Sequence, residues 1–168
     1  MQYKITPPTH IEDTILLPAS KSISNRALII HALAGGNIMP ENLSTCDDTA
    51  VIARAFKDNP YEIDIMAAGT AMRFMTAYLS VTEGEHVLTG TERMKQRPIK
   101  ILVDALRFLG ADIQYTGEEG FPPLLIKGKK LKGGSVEVAG NVSSQYVSAL
   151  LMIGPTLEKG LELKLLGN

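Results

Sequence analysis

Three stretches of this sequence carry side chains of the kind that bind anions at the start of a helix. Their residues are small, hydroxyl-bearing or cationic, and each stretch runs into an apolar segment with helical spacing. They are Lys21-Ser22 with Arg26, Gly69-Thr70, and Ser143-Ser144-Gln145. The first amide groups of a helix lack intrahelical partners, and the helix dipole is positive at that end. These stretches therefore predict binding of phosphate or carboxylate groups.

The alternative for each stretch is ordinary helix capping, because Ser and Thr are common N-cap residues. For Ser143 alone we favour capping. Lys21 differs, since a cation at this end of a helix costs about 0.3–1 kcal/mol when no anion is near. Arg26 follows five residues later and can lean toward the same end of the helix. For this first stretch we therefore favour an anion site over a solvated face.

A basic cluster from Arg93 to Arg97 gives a fourth candidate. Such clusters are often only solvated turns. Arg97, however, directly precedes Pro98, which the pattern predicts as the first residue of a helix. A guanidinium at a helix start suits bidentate binding of a carboxylate or a phosphate. Arg97 is therefore a candidate anion ligand.

The elements that would position these residues alternate between strands and helices. Apolar spacing predicts helices over 22–34, 47–56, 70–81, 98–109 and 143–153. It predicts strands over 15–17, 61–65, 85–89, 111–115, 124–127, 136–139 and 161–165. This alternation predicts an α/β fold.

The sequence also contains an internal repeat. Residues 18–22, followed by the apolar run 27–30, match residues 140–144 and 149–152 at a constant offset of 122 positions. Residues 68–79 form a weaker third copy. Copies of one supersecondary unit pack alike, so we expect their helix starts in comparable positions on one face.

Composition excludes several classes of protein. The chain has 168 residues, 45% of them hydrophobic, and a net charge of -1, which is typical of a globular domain and unsuited to general nucleic-acid binding. No apolar run approaches the length of a membrane span, and the start has no signal pattern, so we expect a cytoplasmic protein with no membrane partner. The three histidines show no metal-ligand spacing.

Cys46 is the single cysteine, so no disulfide framework or zinc ribbon is possible within the chain. Its acidic neighbours Asp47 and Asp48 are expected to raise the pKa of the thiol and leave it inert. As paired carboxylates at a helix start, these two aspartates are themselves interpreted as caps.

Four motifs, taken in order along the chain, resemble the 5-enolpyruvylshikimate-3-phosphate synthase family. They cover residues 17–27, 68–73, 93–99 and 142–146, and residues 43–48 match the segment between the first two. The resemblance implies an inside-out α/β barrel built of repeated βαβαββ units. It also implies that residues 1–168 are an incomplete N-terminal domain whose second domain is absent from the chain.

The implied activity moves the enolpyruvyl group of phosphoenolpyruvate onto the 5-hydroxyl of shikimate 3-phosphate and releases phosphate, with no metal and no organic cofactor. Lys21 would be catalytic and would touch both substrates. The residues implied for shikimate 3-phosphate are Lys21, Ser22, Arg26, Ser143, Ser144 and Gln145. Those implied for phosphoenolpyruvate are Lys21, Gly69, Thr70, Arg97 and Gln145.

Two positions depart from the family pattern. Ala67 stands where the family often has Asn or Asp, and Phe74 stands where it often has Pro. Gly69 is retained, which implies a glyphosate-sensitive pocket. We expect the chain to be inactive without the second domain, and self-association is plausible where that domain would cover its surface.

Two other functions remain as alternatives. The sister transferase acting on UDP-N-acetylglucosamine would have a Lys-Asn pair in the first motif and a reactive cysteine in a cleft loop, whereas position 22 here is Ser. A non-catalytic anion-binding remnant is the second alternative.

Overall fold

The fold is described from a computed structural model, which covers residues 2–141 and 143–167. Within these ranges the helices are α1 (Lys21–Leu33), α2 (Asp47–Asp58), α3 (Gly69–Val81), α4 (Glu92–Lys95), α5 (Lys100–Phe108) and α6 (Ser144–Ile153), which continues into a 3-10 turn, Gly154–Thr156. The strands are β1 (Glu62–Asp64), β2 (Gly84–Thr89), β3 (Asp112–Tyr115), β4 (Leu124–Gly128), β5 (Gly134–Ala139) and β6 (Leu161–Leu166). The mixed α/β character predicted from the sequence is confirmed.

A complete βαβαββ unit runs from β1 to β4. Its four-stranded sheet has the order β1-β2-β4-β3, with β1 parallel to β2 and the other neighbours antiparallel. Ile63 lies opposite Leu88 in the parallel pair, and both side chains are buried. β5, α6 and β6 follow as a parallel β-α-β pair, which has the form of the start of another unit. Among the described residues there is therefore one complete unit of the predicted kind and the start of a second.

Helix α3 lies at the centre of the core. Ten of its 13 residues are buried, so it is covered on nearly all sides, unlike a surface helix with a single apolar stripe. The hydroxyls of Thr76 and Ser80 lie in this apolar setting, and each donates to the carbonyl four residues earlier at 2.7 Å. Helices α1, α2 and α6 pack on α3, and strands β2 and β4 contact α3 directly.

Two sequence predictions of elements are wrong. Residues 15–17 form no strand: Leu16 is 90% exposed, and no strand in the described part of the chain pairs with it. An apolar triplet is not enough, because a strand needs a partner to satisfy its hydrogen bonds. The helix predicted from Pro98 begins at Lys100 with Ile99 as its N-cap, and α4 before it was not predicted.

In the part of the chain that the structure describes, no helix combines the length and apolar character needed to cross a membrane.

Candidate active site

The starts of α1, α3 and α6 lie together at one end of the core. Gln145 Nε2 donates to Thr70 Oγ1 at 3.1 Å, which joins the start of α6 to the start of α3. Arg26 Nη2 donates to Ser148 Oγ at 2.9 Å, which joins α1 to α6 one turn further in. The convergence expected from the internal repeat is therefore present, and amide groups of three helix starts face one region.

Lys21 is the first residue of α1, and Ser20 is its N-cap, with Ser20 Oγ accepting from the amide of Ile23 at 3.4 Å. The Lys21 ammonium lies 3.6 Å from Asp48 Oδ2 on α2. Asp48 therefore supplies an anion near Lys21 and offsets the cost of a cation at this end of the helix. Asp48, interpreted from sequence as a cap, makes no capping bond and belongs to the site.

Arg26 is half-buried and held on two sides. Its Nη1 donates to the carbonyl oxygen of Ser22 at 3.0 Å, and its guanidinium lies 5.3 Å from the ring centroid of Phe74. Ser22 itself is exposed on the first turn of α1. Phe74 is fully buried, so it serves as the floor beneath Arg26. Cation–π contact and hydrogen bonds together fix the direction of this guanidinium.

The guanidinium of Arg97 reaches the start of α3, although Arg97 is not at a helix start as predicted. Arg97 follows α4 and precedes α5 by three residues. A Cβ on Gly69 would lie 2.4 Å from Arg97 Nη1, so only glycine leaves room for the arginine at this distance. The arrangement places a cation beside the free amides of α3, which favours an anion there.

Arg73 connects the start of α3 to Gln145. Its Nη1 donates to the carbonyl oxygen of Gly69 at 2.8 Å and to Gln145 Oε1 at 3.0 Å. Its guanidinium lies 5.3 Å from the ring centroid of Tyr146, whose hydroxyl donates to the carbonyl oxygen of Pro98 at 2.7 Å. Sequence reasoning missed Arg73 as a functional residue. Its position four residues after Gly69, one helical turn away, is the signal that was available.

The two serines of the fourth motif are exposed. Ser143 is the N-cap of α6, and its Oγ accepts from the amide of Gln145 at 3.3 Å, as the capping interpretation predicted. Ser144 is the first residue of the helix. Val142, which belongs to the same motif, lies outside the described residues. Both hydroxyls are open to a ligand at this helix start.

A cleft of about 350 Å³ opens beside the start of α3. It is lined by Ala67, Thr91, Arg93, Met94 and Arg97, so two guanidinium groups border it and no carboxylate does. The small side chain of Ala67, at the position where the resembling family often has Asn or Asp, leaves this cleft open. A space with this lining suits a small anion.

Cys46 differs from its sequence interpretation. Burial raises the pKa of the Cys46 thiol and Asp48 adds to that effect, but hydrogen bonds from Ser44 and Thr49 lower it more, so the pKa lies below its ordinary value. The expectation of a raised pKa is wrong, because it counted the acidic neighbours and missed the hydrogen bonds of the N-terminal turn of α2.

In the described residues, 2–141 and 143–167, no group of three or more His, Cys, Asp or Glu side chains is placed to hold a metal ion. The side chains and backbone groups described above are cations, amides and hydroxyls, which suit an anion.

The chain matches the family model described as EPSP synthase (3-phosphoshikimate 1-carboxyvinyltransferase) over residues 5–58 and 51–167. It is 63% identical over 168 residues to the 3-phosphoshikimate 1-carboxyvinyltransferase of Bacteroides fragilis, covering 100% of this chain and 41% of that protein. It is 41% identical over 195 residues to the protein of the same name from Mannheimia succiniciproducens, covering 98% of this chain and 45% of that protein. The chain thus spans less than half the length of these relatives.

The fold is similar to that of a solved EPSP synthase from Acinetobacter baumannii, with a TM-score of 0.72 and 26% identity. The superposition covers 85% of this chain and 38% of the solved chain. The predicted enolpyruvyl transferase fold is therefore confirmed at the level of architecture.

Proposed function

The chain belongs to the EPSP synthase family, and from that premise we propose that it contributes to transfer of the enolpyruvyl group of phosphoenolpyruvate to the 5-hydroxyl of shikimate 3-phosphate. The reaction releases phosphate, and we place it in the cytoplasm. The single observation that supports the proposal is the meeting of three helix starts. Gln145 joins the starts of α3 and α6 through Thr70 and Arg73, the Arg26–Ser148 contact joins α1 to α6, and Lys21 and Arg97 border the region.

The proposed substrates are both anions, and the converging cations match them. In the transfer, the 5-hydroxyl oxygen loses its proton and bonds to the enol carbon of phosphoenolpyruvate, while the methylene carbon of phosphoenolpyruvate takes up a proton. The tetrahedral intermediate then loses phosphate and a proton, which restores the double bond. Cations and helix-start amides held in place before reaction stabilise the charges without reorganising.

The two substrates would divide the site between them. Arg97, the amide of Gly69 and the cleft beside Ala67 form the side proposed for phosphoenolpyruvate, with Thr70 next to them. Ser22, Arg26, Ser143 and Ser144 form the side proposed for shikimate 3-phosphate. Lys21 and Gln145 would contact both substrates. Lys21 is half-exposed beside Asp48, so an incoming anion can reach its ammonium.

The relatives have more than twice the length of this chain, and we propose that turnover needs residues that their remaining length supplies. General acid and base groups must lie within hydrogen-bond reach of the reacting atoms. A second domain, proposed to close over the three helix starts, would bring such groups and exclude water. The isolated chain is therefore expected to bind without turnover, and self-association through the uncovered surface remains a prediction.

Calorimetric titration of shikimate 3-phosphate into the chain tests the proposal. We expect binding, and Lys21→Ala should weaken it about tenfold or more, since a hydrogen bond to a charged group is worth about 1.5–3 kcal/mol. Lys100→Ala is the matched control, because Lys100 pairs with Asp104 and Glu119 on an exposed surface outside the site. Its affinity should match that of the wild type.

Two results would contradict the proposal. A folded chain that does not bind shikimate 3-phosphate would show that this chain alone does not form the substrate site. Binding of UDP-N-acetylglucosamine in its place would favour the sister activity, which the names of the relatives do not support.

A further inference from the structure

Arg73 lies where two of the helix starts meet, and no role is assigned to it by the substrate contacts proposed above. Its Nη1 is shared between the Gly69 carbonyl at 2.8 Å and Gln145 Oε1 at 3.0 Å. One nitrogen thus ties the first residue of α3 to the side chain of the second residue of α6. This contact crosses 72 positions of sequence.

The contact determines how the Gln145 amide is oriented. A guanidinium has donors and no acceptor, so it can pair only with the oxygen of a side-chain amide. With Oε1 held by Arg73, the nitrogen of Gln145 is directed to Thr70 Oγ1, 3.1 Å away. A flipped amide would place N–H groups against the guanidinium and lose the hydrogen bond to Arg73, whereas the Thr70 hydroxyl can pair with either end of the amide. A charged donor makes the stronger kind of hydrogen bond, which strengthens this preference.

Arg73 is itself held in place by its surroundings. Its guanidinium stacks on Tyr146 at 5.3 Å, and Tyr146 is anchored by its hydroxyl to the carbonyl of Pro98, the residue after Arg97. The Nε atom is buried and has no hydrogen-bond partner among the described residues. Because solvent does not reach Nε, a ligand in the site does not reach it either. Through Nη1, Arg73 acts on the Gly69 carbonyl and on the side chain of Gln145, the two groups that it holds at the helix starts.

We propose that Arg73 is a positioning residue, which sets the amide orientation of Gln145 and so determines which of its groups faces the substrates. The part of this inference that concerns substrates rests on the proposed function. The part that concerns the Gln145 amide stands on the geometry of the ligand-free chain. The two parts are tested by different measurements.

The first measurement needs no ligand. The glutamines of the chain are Gln2, Gln96, Gln114 and Gln145, so selective ¹⁵N labelling of glutamine side chains gives a simple amide spectrum. We expect hydrogen exchange of the Gln145 amide to be slower than that of exposed Gln96 and Gln114. In Arg73→Met the Gln145 amide should exchange several-fold faster, and in Arg73→Lys, which keeps the charge but loses the fork of donors, it should be intermediate.

Arg107→Met is the matched control. Arg107 is also an arginine stacked on a tyrosine, 4.9 Å from the ring centroid of Tyr115, and it donates to the Ile113 carbonyl outside the site. This variant loses a comparable set of contacts but should leave the Gln145 exchange rate unchanged. If Arg73→Met does not fold, Arg73→Lys carries the test. If the side-chain amide of Gln145 exchanges at the wild-type rate in a folded Arg73 variant, the inference is overturned.

The second measurement is a double-mutant cycle on the affinity for shikimate 3-phosphate. Arg73→Met should weaken binding about tenfold in the wild-type background and less than about twofold in a Gln145→Leu background, because its effect acts through Gln145. Equal losses in both backgrounds would show a general structural role and overturn the inference. Absence of binding by the wild-type chain would refute the proposed function, and the exchange rates alone would then decide the role of Arg73.

Discussion

Arg26 and Ser148 occupy the same position in two copies of the internal repeat, 122 residues apart, and their side chains hydrogen-bond to each other at 2.9 Å. The repeat thus places equivalent turns of α1 and α6 in contact beside α3. A charged donor in one copy meets a hydroxyl in the other, so two similar helices are joined by an unlike pair. The contact lies one turn inside the helix starts and supports the region where the candidate ligands converge.

Removing this contact should destabilise the fold by a modest amount. We expect Ser148→Ala to lower the free energy of unfolding by about 1 kcal/mol, since a half-buried guanidinium loses one acceptor. Urea denaturation measures the change. Ser135→Ala, on the exposed face of β5, is the control and should stay within about 0.5 kcal/mol of wild type. Equal stabilities for the two variants would show that the pair adds nothing to the fold.

Gly69→Ala should weaken phosphoenolpyruvate binding while leaving the fold intact. The new Cβ would lie 2.4 Å from Arg97 Nη1 and 2.9 Å from Arg73 Nη1, so the flexible ends of both arginines must move. We expect the affinity, measured by calorimetry with shikimate 3-phosphate present, to fall about tenfold, equivalent to one lost charged contact.

Gly117→Ala provides the comparison for this substitution, because its Cβ would make only an ordinary contact of 3.5 Å with Pro123 Cδ. Its affinity for phosphoenolpyruvate should equal that of wild type. If Gly69→Ala binds as tightly as Gly117→Ala, the proposed position of phosphoenolpyruvate beside Arg97 is wrong.

Phe74 should contribute to stability through Arg26 as well as through burial. A double-mutant cycle of Phe74→Leu and Arg26→Met on the free energy of unfolding isolates the contact of guanidinium and ring. We expect a coupling of about 0.5–1 kcal/mol, the usual range for a cation–π pair that is partly exposed. A coupling near zero would mean that Phe74 acts by filling the core alone.

Cys46 should be alkylated by iodoacetamide at a lower pH than an ordinary cysteine. Burial raises the pKa of its thiol, but hydrogen bonds from Ser44 and Thr49 outweigh that effect and leave the pKa lowered. A lower pKa means more thiolate at a given pH, and thiolate is the reactive form. Ser44→Ala removes one of the lowering bonds, so the midpoint of the alkylation rate against pH should move upward.

Ser135→Ala again serves as the unaffected variant, because Ser135 lies on the distant strand β5. A midpoint in Ser44→Ala equal to or below that of wild type would show that Ser44 does not stabilise the thiolate.

The sequence by itself determined the order of most elements and the residue types at the helix starts. Apolar spacing predicts both ends of each of five helices to within two residues: α1, α2, α3, α5 and α6. It can do so because the periodicity of core-facing residues is a local property of the chain. The internal repeat predicted that helix starts would converge, and the motifs indicated the family. These signals all lie within short segments.

Tertiary structure decided which distant groups meet. Local pattern predicts a strand at 15–17, but no strand among residues 2–141 and 143–167 pairs with it. The sequence pattern predicts that Asp48 caps a helix, whereas in the folded chain its carboxylate pairs with the Lys21 ammonium. Arg97 is not at a helix start, yet its guanidinium lies against Gly69, and Arg73 joins Gly69 to Gln145. Side-chain pairing across helices depends on packing geometry, which no sequence window contains.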